Sequence, residues 1–110
     1  MSTAKYVLAL PDTIKIGPFS IAINKVEKIG SEDLYYGEFV AHEERISIIL
    51  NHPSKLRAAD TMLHEILHAL WNFGHATGEE EQSVGALATG LMQVMADNPD
   101  LLAWWRKAYD

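Results

Sequence analysis

The chain has no cysteine, which removes disulfide staples, thiolate metal ligands and a cysteine nucleophile together. That absence fits a reducing, cytoplasmic setting. Long apolar runs are missing too. The stretch from Tyr6 to Leu10 is short and ends at Pro11-Asp12, so neither a signal peptide nor a membrane span is expected. Positive charge is scarce: nine Lys and Arg stand against fifteen Asp and Glu, a net charge of -6 at pH 7. The basic residues are scattered, and nucleic acid is not an expected partner.

What is present is enough for one domain. Of the 110 residues, 48% are hydrophobic, which allows a core without staples. There are no internal repeats and no low-complexity linkers.

The first half reads as strands. Lys5 to Leu10 and Thr13 to Ile16 are β-rich and separated by Pro11-Asp12, and Gly17-Pro18 marks the next turn. Phe19 to Val26 alternates, Lys28 to Asp33 is a polar loop, and Tyr35 to Ala41 and Arg45 to Leu50 form a hairpin around His42-Glu43-Glu44. Three or four short, mainly antiparallel strands are expected.

The second half reads as helices. Ser54 is a suitable N-cap for a helix running to about Phe73, with Gly74 as its C′ residue. Leu56, Leu63, Leu67 and Leu70 form its expected core stripe, widened by Ala59, Ile66, Ala69 and Phe73. A second helix starts near Gly78-Glu79-Glu80-Glu81, where carboxylates suit the positive end of the dipole. Val84, Leu87, Ala88, Leu91 and Met95 carry its apolar face. Asn98 and Pro99 then open a short terminal helix as N-cap and N1, which buries Leu101, Leu102, Trp104 and Trp105. The expected fold is α+β: a small sheet packed on the first of these helices, with the glutamate helix behind it.

Within the first helix, His64-Glu65-Ile66-Leu67-His68 is an HExxH motif. Two histidines four residues apart differ by about 40° of rotation, so both imidazoles leave one face a turn apart. Two ring nitrogens can then share one Zn²⁺. Glu65 is turned away from direct ligation but can reach the attacking water and serve as general base. Chance alone gives about 0.02 such matches in a chain of this composition. Histidines that interrupt a Leu-, Ile- and Ala-rich helix also need partners. Metal binding is the stronger reading.

A catalytic zinc takes a third protein ligand and leaves a fourth position open. The metzincin continuation fails, because Trp71 and Gly74 stand where glycine and histidine are needed, and His75 falls one residue late. Glu80 and Glu81 are better placed to complete a His₂Glu set, and periodicity slightly favours Glu80. Glu79 is read as a partner of the helix dipole. His42 and His52 read as solvated turn residues, and Trp71 as core. Tyr35, Tyr36 and Tyr109 could each donate to an oxyanion, but packing is the better reading for each.

This layout of strands, HExxH helix and glutamate helix resembles the gluzincin peptidases in their smallest form. It is similar to compact metallopeptidase domains of phages and mobile elements, and more loosely to the ImmA/IrrE group. The likeness rests on Thr61 to Leu70, on Glu80 to Val84 with Leu87, Gly90, Leu91 and Asp97-Asn98-Pro99, and more weakly on Gly37-Glu38-Phe39. It spans most of the chain beyond Tyr35. The family layout places the ligand glutamate three residues before the apolar position held by Val84, which implies Glu81. The expectation is a zinc metalloendopeptidase with His64, His68 and Glu81 as ligands and Glu65 as base. Its partner is a peptide or protein in extended form, paired to the sheet edge at Tyr35 to Ala41 or Arg45 to Leu50. A metal-binding regulatory or partner-binding protein with little turnover is the alternative.

Overall fold

The computed structural model describes residues 2–30, 35–75 and 80–110, with only the backbone described at 74, 75 and 80–82. It is α+β, with a four-stranded sheet and four α-helices. Strands β1 (Thr13–Ile16), β2 (Phe19–Val26), β3 (Gly37–Val40) and β4 (Arg45–Ile49) lie in the order β1-β2-β4-β3. The β1–β2 and β3–β4 pairs are antiparallel and β2–β4 is parallel. The sheet is therefore mixed, and β3 forms one of its edges.

One face of the sheet is buried. Ile14, Ile16, Ile21, Ile23, Ile46 and Ile48 supply it, with Thr13, Lys15, Ala22 and Asn24 on the exposed alternate positions. In the β3–β4 register Gly37 faces Ile48 and Phe39 faces Ile46, so Gly37 and Phe39 share the covered side. Helix α2 (Lys55–Leu70) packs there, its N-cap Ser54 accepting from the Arg57 amide.

Lys5 to Leu10, expected as a strand, is instead largely helix α1 (Thr3–Leu8). Ser2 caps it by accepting from the Lys5 amide at 3.1 Å. Tyr6, Val7 and Leu10 are buried while Leu8 is exposed, a helical and not an alternating pattern. Lys25, at the end of β2, donates 2.7 Å bonds to the Leu10 carbonyl and to Asp12.

The apolar stripes of the two long helices are rotated from the expected ones. On α2 the core face is Ala58, Met62, Ile66, Ala69 and Leu70, whereas Leu56 is 48% exposed. Helix α3 (Glu80–Asp97) buries Ser83, Gly90 and Val94, and Val84 and Met92 point to solvent. Small residues face inward where elements approach closely. A Cβ on Gly90 would sit 2.8 Å from Leu70 Cδ2, so glycine sets the spacing of α2 and α3. Beyond Leu70 the chain continues through a π-helical turn, Trp71–His75, which places Gly74 inside a turn instead of at C′. The expected helix start at Gly78-Glu79 lies outside the described residues, as do residues 31–33 of the polar loop before β3.

Helix α4 (Pro99–Lys107) begins after Asn98, as expected, but Asn98 makes no capping bond. Its side-chain amide goes elsewhere. Oδ1 accepts from the Lys15 amide and Nδ2 donates to the Lys15 carbonyl, both at 2.8 Å, while Nδ2 also reaches the Val94 carbonyl. The side chain thus pairs with the outer edge of β1 as a strand residue would. Tyr6 and Trp104 join α1 to α4, stacked at 4.3 Å. Each donates to the other's carbonyl, Tyr6 Oη at 2.7 Å and Trp104 Nε1 at 2.6 Å.

Candidate metal centre

His64 and His68 project from the exposed side of α2, next to edge strand β3. Their Nε2 atoms lie 3.1 Å apart, with the rings inclined at 76°. Two nitrogens on one tetrahedral zinc, each at about 2.0–2.1 Å, are separated by roughly 3.3–3.4 Å. The observed spacing is close to one edge of that tetrahedron, so this pair fits a zinc ion.

Glu65 occupies a different environment one residue away. It is 7% exposed and sits between α2 and the start of β3. Burial raises its pKa above the ordinary carboxyl value, against the lowering pull of His64, His68 and the Phe39 amide, while Glu38 raises it further. A carboxyl so placed is a stronger base than a solvated one.

Gly37 makes this approach possible. A Cβ there would lie 2.6 Å from Thr61 Cγ2 and 3.2 Å from Glu65 Cγ. Gly37→Ala is therefore expected to push β3 away from α2 and to destabilise the fold by about 1–3 kcal/mol. Urea denaturation measures this, and a variant as stable as the native protein would show that the contact is slack.

A cleft of about 580 Å³ runs along β3, lined by Tyr35, Gly37, Glu38, Phe39, His64, Glu65, His68, Trp71 and Asn72. A second cavity of about 350 Å³ on the other side of the histidines is bounded by Leu67, Trp71 and Leu87. Trp71, expected in the core, is 52% exposed and walls both spaces. Tyr35 lines the cleft, and Tyr36 joins it beside Glu65 in a smaller cavity. Tyr109 is remote, in a groove with Leu56 and Leu63.

Among the described residues no third His, Asp or Glu joins the pair. The side chains of Glu80, Glu81 and His75 lie outside the described set, and Glu79 lies outside it altogether. Sequence reasoning missed His52, which is 6% exposed and not solvated; no local pattern signals its burial. His42 lies on the surface, in the short 3₁₀ turn Ala41–Glu43.

No protein-family model, curated protein or solved structure matches the chain. Among the described residues, no helix is long and apolar enough to cross a membrane.

Proposed function

We propose that the protein is a zinc-dependent endopeptidase acting on extended peptide segments. The observation that carries this reading is the convergence of His64 and His68 at 3.1 Å beside a buried Glu65 and the edge of the sheet. The ligands would be His64, His68 and a glutamate from the start of α3. Family resemblance points to Glu81 and sequence periodicity slightly to Glu80; we take Glu81.

A zinc ion held there would polarise the scissile carbonyl and make water nucleophilic near neutral pH. The protein's own groups do the rest. The outer edge of β3 offers backbone donors and acceptors to a substrate strand, which lays the peptide along the cleft. Glu65 takes a proton from the attacking water and returns it to the departing amide nitrogen. Trp71 and Leu87 bound the space on one side of the histidines.

Protein purified without a histidine tag is expected to hold about one zinc per chain by elemental analysis, and His64→Ala/His68→Ala to hold none. Absence of metal after zinc addition would refute the reading. Glu81→Ala should release zinc more readily than Glu80→Ala under chelator competition; the opposite ranking assigns the ligand to Glu80.

A further inference from the structure

Of the histidines whose side chains are described, only His52 is buried. Its Nε2 lies 3.1 Å from Thr61 Oγ1. That hydroxyl has one proton, which it donates to the Arg57 carbonyl at 3.0 Å. It must therefore accept from His52, which fixes the imidazole as the Nε2–H tautomer. Nδ1 is buried without a well-formed hydrogen bond, although the Ile49 backbone beside the ring favours its protonated form. An orphan nitrogen is unfavourable, so packing alone would favour an apolar residue here. The bond to Thr61 is what the histidine adds.

Threonine in a helix divides between two χ1 rotamers, because its hydroxyl can bond a carbonyl one turn back. His52 favours one of them. With Oγ1 held by His52 and Arg57, Cγ2 is turned toward β3, against the position a Gly37 Cβ would take. Glu65 Cγ is the next atom along the same contact. Tyr36, immediately before β3, lies with its ring 5.2 Å from that of His52. The start of β3 thus rests on Thr61 and His52 together.

We propose that His52 is a positioning residue: its hydrogen bond sets the Thr61 rotamer, and that rotamer sets how closely β3 approaches Glu65. The structural claim stands on these contacts. Its kinetic consequence rests on the reading of Glu65 as general base.

Long-range ¹H–¹⁵N NMR should find His52 protonated at Nε2. In His52→Leu, amide exchange at Phe39 should accelerate at least about tenfold as β3 loosens. Peptide hydrolysis should lose about ten- to a hundredfold in kcat, with KM and zinc content unchanged. His52→Gln, whose amide can donate from the same place, should restore both readouts. If His52→Leu does not fold, Thr61→Ser keeps the hydroxyl and removes the methyl, and should accelerate Phe39 exchange and lower kcat in the same direction. An Nδ1–H tautomer, unchanged Phe39 exchange in the folded variant, or a glutamine variant as impaired as leucine would overturn the proposal. If the native protein shows no turnover, the peptidase reading fails by itself, and the tautomer and exchange still decide the role of His52.

Discussion

Glu65→Gln is expected to retain about one zinc per chain while peptide hydrolysis falls by about 10²–10⁴-fold. Glutamine has nearly the same shape, so the contact with Gly37 survives, but it cannot accept a proton. The histidines, whose rings already converge without help from Glu65, keep their geometry. The measurement is cleavage of unfolded protein substrates alongside elemental analysis of both proteins. Equal cleavage by both would mean a different base or a contaminant. Bound zinc with no cleavage by either would favour the metal-binding regulatory protein instead.

The same substitution has a consequence for stability that does not depend on turnover. In metal-free protein, burial holds the Glu65 pKa above its ordinary value. A carboxyl raised in the folded state favours folding at low pH, and that contribution is lost as pH rises through the folded-state value. Glu65→Gln, always neutral, should therefore resist urea better than native protein at pH 7, with the difference vanishing in acid. A glutamine variant that is less stable at pH 7 would show that the carboxylate is well solvated. The site residue would then be working with the fold and not against it.

Trp104→Ala is expected to cost about 3–5 kcal/mol, a large share of the roughly 5–15 kcal/mol that holds a domain together. Trp104 is 3% exposed and Tyr6, its stacking partner, is 1% exposed. Truncation leaves a cavity beside a tyrosine whose hydroxyl still bonds the main chain at residue 104. Trp104→Phe keeps most of the ring volume and loses only the bond to the Tyr6 carbonyl, which also receives the Ala9 amide. Its cost should be about 1 kcal/mol. Urea denaturation of the two variants tests this. A cost below about 1 kcal/mol for alanine would mean that α1 and α4 are not held together by this pair.

The two lessons of the sequence differ by element. Thr13–Ile16 and Phe19–Val26 were legible because alternation and turn residues are local signals, and the β3–β4 hairpin for the same reason. Lys5 to Leu10 was misread because Trp104, almost a hundred residues away, decides that Tyr6 is buried. The leucines of α2 misled for a related reason. The sheet is approached by Ala58, Met62 and Ala69, small or flexible side chains that permit close packing, while Leu56 and Leu63 line a groove beside α3 and α4. Within the site, the HExxH spacing placed His64 and His68 together, since one helix supplies both. The roles of Gly37 and His52 depend on where β3 lies against α2, and no local pattern carries that.

A sheet with two available edges can be extended from both sides, and repeated addition then builds a fibre. Here the Lys15 backbone, on the β1 side, is already engaged by Asn98, while the β3 side borders His64 and Glu65. Any strand that adds to the protein is thereby steered to the β3 side, and a copy bound there has no equivalent acceptor to offer at Lys15. Strand addition at β3 would therefore stop after one partner, because the opposite edge is closed at Lys15.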